Sequence, residues 1–224
     1  MQFIFRCALS VGSDGTYVSL QAKMDTKAII EKSYQIVSSL TKQEPVRRRL
    51  SVLESELPAI WKHCQRVAVL SAAVGYKQGL AKSAVRMLAC AGLLHDLGKL
   101  DIDTEILKKS GSLSDKERRQ IKKHTRLGFK RLDADFFQEI KKIVVAHHEH
   151  QSDPYPRKND RKEEYDGLSQ IVGAADMFDA LKSSRSYKDK KSESEIEEIM
   201  REEFTGNKEL IDQTVQLGSA LKQY

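Results

Sequence analysis

Gly92-Leu93-Leu94-His95-Asp96-Leu97-Gly98-Lys99 is the stretch on which the fold turns. It closes an Ala- and Leu-rich run from Lys82 to Leu97 with helical periodicity, and Gly98 supplies the stop. His95 follows Leu88 and Ala91 on one face, so an imidazole occupies the stripe that such a helix buries. Asp96 comes next in apolar company, and a buried unpaired carboxylate is rare unless it meets a cation. The run therefore predicts a core helix ending in polar chemistry.

The same periodicity continues outward. Leu57 to about Val74 reads as a long helix with Trp61, Val67, Leu70 and Val74 apolar. Ile29, Ile30, Tyr34, Ile36 and Val37 mark an earlier helix that fades near Pro45. Arg47-Arg48-Arg49 reads as a solvated helix face more readily than as an anion site. Downstream, Ser114-x-x-Glu117 is a capping box opening a helix to about Leu132, and Phe136 to about His148 forms the next. Asp153-Pro154-Tyr155-Pro156 breaks it. Helices follow from Gly167 to Lys182, from Ser192-x-x-Glu195 to about Phe204, and after Gly206. At the start, Phe3, Phe5, Cys7, Leu9 and Val11 alternate, Ser13 to Thr16 supply a turn, and Tyr17 to Leu20 resume. That is a hairpin or a frayed terminus. The expected fold class is all-α, a helical bundle with a short N-terminal β-hairpin or appendage. Residues 1–45 are taken as an N-terminal segment and 46–224 as the main domain.

Composition excludes several classes. Of 224 residues, 40% are hydrophobic and 31% charged, enough for a core and unlike a disordered tail. No apolar run reaches the roughly 18–20 residues that span a bilayer, and Met1 to Arg6 has no basic n-region, so no membrane contact is expected. Cys7, Cys64 and Cys90 are an odd number without a close pair. They argue against a disulfide framework or a Cys-based zinc site and fit a reducing cytoplasm. A net charge of +6 favours anionic partners but is too small to imply DNA binding.

All six histidines fall between His63 and His150. A lone His on an apolar face is usually a satisfied core residue. Five of them, His63, His95, His124, His147 and His148, sit on or near predicted apolar stripes. Burying so many imidazoles without a shared partner costs several kcal/mol, which a metal ion relieves by taking up the nitrogen lone pairs. Asp96 and Asp176, the latter on a face with Val172 and Ala180, add oxygen ligands. Seven mixed nitrogen and oxygen donors suit two divalent transition-metal ions (Fe, Mn, Zn, Co or Ni) sharing a carboxylate.

These residues lie within His63-Cys64-Gln65-Arg66-Val67-Ala68, Leu94 to Lys99, Ile106 to Leu113, His124 with Gly128, His147-His148-Glu149, and Asp176 to Leu181 with Arg185-x-Tyr187. In this order and spacing the chain resembles the HD-domain metal-dependent phosphohydrolases, and within them the HD-GYP branch. The resemblance covers roughly His63 to Tyr187. It implies a two-metal centre held by His63, His95, Asp96, His124, His147, His148 and Asp176, with Asp96 bridging. It also implies that a water between the metals attacks phosphorus in line. Lys99 would contact a phosphate oxygen or the attacking water, Arg185 a substrate phosphate, and Tyr155 the substrate loop. Asp179 would orient a ligand or Arg185 from behind, and His150 would lie on the surface.

Two departures matter. The family's Gly-Tyr-Pro is replaced by Pro154-Tyr155-Pro156, and Pro has neither glycine's freedom nor an amide hydrogen. Ala59 stands where some relatives carry a Glu one turn before the first His, so two metals are expected and not a third. The expected function is a phosphodiesterase acting on a cyclic dinucleotide, first cyclic di-GMP to linear pGpG. The alternatives are another nucleotide phosphohydrolase of the superfamily, or a catalytically weak metal-binding signalling module. A homodimer or a regulatory protein partner is left open.

Overall fold

A computed structural model describes residues 9–11, 17–19, 24–156, 166–183 and 191–221. Two short strands, β1 (Leu9–Val11) and β2 (Tyr17–Ser19), pair antiparallel with Leu9 opposite Ser19. The remainder is helical, as the periodicity predicted. The main helices are α1 (Thr26–Thr41), α2 (Glu44–Glu56), α3 (Pro58–Lys77), α4 (Lys82–Leu94), α5 (Thr104–Lys108) and α6 (Asp115–Lys122). They continue as α7 (His124–Arg131), α8 (Ile140–Ala146), α9 (Asp166–Lys182), α10 (Glu193–Glu203) and α11 (Glu209–Ala220).

Helix α3 is the axis of the bundle, packed by α1, α2, α4, α9 and α11. Pro58 starts it at a position where a missing N–H costs nothing. From Val67 to Val74 it is buried on every side, at about 1.5–3 kcal/mol for each large apolar side chain taken from water. Helix α4 folds back antiparallel onto it, and Leu88, Leu93 and Leu94 join Val144 and Val172 in one core. The capping boxes at Ser114 and Ser192 are both formed. Asp25 caps α1 by accepting the Ala28 N–H at 2.7 Å.

Three helices end earlier than their apolar stripes suggest. The α4 run stops at Leu94, and a 3-10 turn follows over Leu97–Asp101. The helix opened by Ser114 divides at Lys123, and the one expected to reach His148 stops at Ala146. At each of these ends a histidine ring donates its Nδ1 proton to the carbonyl three residues back. The pairs are His95 to Gly92 (2.9 Å), His124 to Ile121 (2.8 Å) and His147 to Val144 (2.6 Å). The rings thus give a side-chain donor to carbonyls in the last turns of these helices.

Arg49 is structural rather than an anion site. Its guanidinium lies over the Phe137 ring, bonds the Arg131 carbonyl and approaches Asp133 at 3.5 Å.

Candidate metal centre

The three helix-end histidines meet where α4, α7, α8 and α9 converge on α3. With Nδ1 of His95, His124 and His147 occupied by backbone carbonyls, each Nε2 is left carrying a lone pair. His63, from α3, reaches the same place; its Nδ1 bonds Asp179 Oδ2 at 2.7 Å. Gly98 is required for the closure, because a Cβ there would stand 2.0 Å from the His124 carbonyl oxygen.

The donors form two groups. In one, His63 Nε2 lies 3.2 Å from His95 Nε2 and 3.0 Å from Asp176 Oδ1. In the other, His124 Nε2 lies 3.4 Å from His147 Nε2, with a His148 nitrogen within 4.8 Å of both. Asp96 stands between them. Its Oδ2 is 3.5 Å from His95 Nε2 and 3.8 Å from His63 Nε2, while its Oδ1 is 3.4 Å from His124 Nε2. Asp176 also faces both ways, with Oδ2 3.8 Å from His148 Nε2. Donors about 2.0–2.2 Å from one ion stand roughly 3 Å apart, so the spacing within each group suits a divalent cation.

Electrostatics divide the groups as the carboxylates do. Burial works against the charge of Asp96, yet Lys99, His95 and His124 hold its carboxyl well below the usual range. The same holds for Asp176, through His63 and His95. Burial also opposes charge on His63, but Asp176 and Asp179 outweigh it and raise the ring to about 9. In the second group burial wins. It lowers His124 to about 4 and His148 to about 3, and His147 well below its ordinary value.

One atom tests whether a cation fits. Asp96 is 1% exposed, and its Oδ1 has no hydrogen-bond partner. A buried carboxylate oxygen left so is costly, and a cation between it and three uncharged imidazoles removes that cost. The residues present therefore fit divalent metal.

All seven expected donors, His63, His95, Asp96, His124, His147, His148 and Asp176, are brought together. Lys99 also joins them, with Nζ 2.6 Å from Asp96 Oδ2. Tyr155 stacks on His148 with ring centroids 4.5 Å apart and forms one wall. Lys122 Nζ lies 5.0 Å from the centre of the Tyr155 ring. Arg185 falls outside the described residues. His150 is a correction to the surface position expected: it is 3% exposed, and Nε2 bonds Asp166 Oδ1 at 2.8 Å. Its backbone carbonyl accepts the Thr205 N–H, which fastens the end of α10 over it.

The sequence reading gave no role to three neighbours. Arg66 grips Asp179 with two hydrogen bonds of 2.6 and 2.8 Å, one turn beyond His63. Gln151 Nε2 lies 2.6 Å from His148 Nδ1, and exchanging the amide's nitrogen and oxygen would let Gln151 accept the Nδ1 proton and leave Nε2 free. Cys64 is buried beside His95 and Asp96. Spacing from His63 was the available signal for Arg66 and Cys64.

The HD domain family model matches residues 49–215. The chain belongs to the HD-domain family. It is 36% identical over 146 residues to a cyclic di-GMP phosphodiesterase of Thermotoga maritima, covering 63% of this chain and 38% of that protein. It is 33% identical over 165 residues to 3'3'-cGAMP-specific phosphodiesterase 2 of Vibrio cholerae, covering 71% and 31%. The chain thus spans about a third of the length of these curated relatives. The HD domain of L. monocytogenes phosphodiesterase PgpH, in complex with cyclic-di-AMP, superposes with a TM-score of 0.58 at 18% identity. That likeness covers 79% of this chain and 96% of that one, and it is a likeness of fold. Among the described residues of this HD domain, no helix is long and apolar enough to cross a membrane.

Proposed function

We propose that this HD domain is a two-metal phosphodiesterase that opens a cyclic dinucleotide, with cyclic di-GMP to linear pGpG as the first substrate to test. The observation that carries the reading is the position of Asp96, a buried carboxylate facing His63 and His95 with one oxygen and His124 with the other. His63, His95, Asp96 and Asp176 would hold one ion, and His124, His147 and His148 the other, with Asp96 shared. Divalent ions in such a pair lower the pKa of water and offset charge on a phosphoryl group.

The chain's own groups supply the rest. Lys99 remains a cation, because the Asp96 charge outweighs the burial that opposes it. From its place on Asp96 it can turn to a phosphate oxygen when substrate enters, stabilising charge that develops there. Asp179 and Arg66 fix the His63 ring from behind. Tyr155 closes the His148 side and offers an aromatic edge to a base. In the net reaction a water oxygen bonds phosphorus, the bond from phosphorus to a ribose 3' oxygen breaks, and that oxygen takes up a proton.

A second reading, hydrolysis of a different nucleotide, is favoured by the Tyr155 loop. Tyr155 is packed on His148, and Pro154 stands where the HD-GYP pattern has glycine. Metal-loaded protein should be assayed with cyclic di-GMP, 3'3'-cGAMP, cyclic di-AMP and a panel of nucleotide mono- and diesters. Turnover of a cyclic dinucleotide to a linear product supports the first reading. Turnover of other esters alone supports the second. Bound metal with no turnover on any of them leaves a signalling module.

A further inference from the structure

We propose that the cavity between α1, α3, α9 and α11 is a second binding site, separate from the metal centre, for an amphipathic anion: a molecule with an apolar body and one carboxylate or phosphate head. Arg66 belongs to both places, so an anion bound here loosens the metal centre. That coupling rests on the metal reading above; the binding itself does not.

The cavity follows from how four helices share α3. Helices α1 and α11 both pack on α3 but scarcely touch each other. Short residues line the gap: Ser38 and Thr41 on α1 and Gly218 on α11. Gly218 has a further reason to be small, since a Cβ there would lie 2.2 Å from the Phe178 ring. The helices leave a cavity of about 580 Å³, within the range of roughly 300–1,000 Å³ that holds small ligands. Val37, Val69, Leu70, Phe178 and Leu221 supply its apolar walls. Ser38 and Tyr34 stand exposed at its rim, so the cavity can be entered from solvent.

Two cations among the lining residues give the cavity a sign. Arg66 uses Nε and Nη2 on Asp179, at 2.6 and 2.8 Å, which leaves Nη1 for another oxygen. Lys182 Nζ lies 4.7 Å from the centre of the Phe178 ring and 3.9 Å from Glu193 Oε1, so its charge stands against the apolar wall. Asp179 is the one acid among the described lining residues, and Arg66 and His63 already match its charge. An anionic head between Arg66 and Lys182 gains charge-assisted hydrogen bonds, with the Ser183 hydroxyl beside them, while an apolar body covers Phe178, Val69 and Leu70. A neutral molecule would leave both cations unmet, and a cationic one would be repelled. An oxyanion on the guanidinium also draws it from Asp179, whose hydrogen bond to Nδ1 holds the His63 ring. Anion and metal should therefore weaken each other's binding by the same factor.

The test is calorimetric titration of the full chain, freed of metal, with decanoate, decyl phosphate, decanol and decyltrimethylammonium, each below its micelle-forming concentration. Wild type is compared with Lys182→Ala and with Ser38→Trp, which fills the cavity mouth from an exposed position. At least one of the two anions should bind saturably, with decanol and decyltrimethylammonium at least about tenfold weaker. The tighter head identifies the ligand as a carboxylic acid or a phosphate ester. Each substitution should weaken that anion at least about tenfold. In a dye competition the anion should lower the Zn²⁺ affinity of wild type at least about fivefold and leave that of Ser38→Trp unchanged. No saturable binding of either anion, decanol binding as tightly as the anions, or an affinity unchanged in Ser38→Trp overturns the site. Anion binding with no effect on Zn²⁺ affinity overturns the coupling and keeps the site. A chain that takes up the anion but no Zn²⁺ overturns the metal reading, and the coupling with it, and keeps the site. Lys182→Ala decides the matter if Ser38→Trp does not fold.

Discussion

Asp179 holds His63 by a 2.7 Å hydrogen bond between Oδ2 and Nδ1, across 116 residues of chain. The same carboxylate takes two hydrogen bonds from Arg66, so its position is fixed from the other side. Burial opposes its charge, but His63 and Arg66 hold its carboxyl below the ordinary range. The bond sets the His63 tautomer and turns Nε2 toward Asp176 and His95. Asp179→Ala should keep the fold and weaken metal binding roughly 10–100-fold. Competition with a metal-binding dye checks this; unchanged affinity would show that His63 needs no such support.

Lys99 makes a different prediction. It touches Asp96 and belongs to no donor group. Lys99→Ala should retain metal and lower turnover by about 10²-fold, the scale for losing one group that stabilises developing charge. Steady-state kinetics beside metal analysis separates the two effects. Metal loss in this variant would reassign Lys99 to holding the site together.

Stability of the metal-free protein should depend on pH in both directions. His124 and His148 sit at about 4 and about 3 when folded. An unfolded imidazole takes up its proton near about 6.5, so these two residues destabilise the fold as pH drops below that value. His63 is raised to about 9. Its contribution is complete below about 6.5 and is lost as pH climbs through the raised value. The unfolding free energy measured by chemical denaturation with chelator should peak near pH 6–7 and fall toward pH 4 and pH 10, by roughly the pKa differences times 1.4 kcal/mol per unit at most. A flat profile would contradict the burial assigned to these rings.

Gly98 tests the closure of the site. A methyl group at this position would collide with the His124 carbonyl at 2.0 Å and the Gly128 nitrogen at 2.4 Å. Gly98→Ala should cost about 1–3 kcal/mol or more, since backbone must move to admit it. Chemical denaturation reads the loss directly.

The sequence made the bundle legible because its apolar spacing agrees with its caps. Ser114 with Glu117 and Ser192 with Glu195 sit where helices begin, and Leu88, Leu93 and Leu94 sit on the buried face. The seven donors were legible as a set because buried imidazoles and carboxylates need a common partner. Helix ends were harder. The bonds from His95, His124 and His147 to carbonyls three residues back compete with regular helix bonding, and periodicity does not register that. His150 was misplaced for a similar reason: its burial comes from the distant segment at Phe204 and Thr205, which local pattern does not reveal. Arg66 acts through Asp179 on α9, so its role needed the packing of α3 against that helix.

The central claim is that Asp96 joins two cation positions, and metal content tests it most directly. Protein purified without oxygen should be compared with its Asp96→Ala variant by elemental analysis, each checked for helical content. The account predicts about two divalent transition-metal ions per wild-type chain and the loss of at least one from a variant that stays folded. Wild-type metal content in the folded variant, or a wild-type chain with no metal, would contradict it.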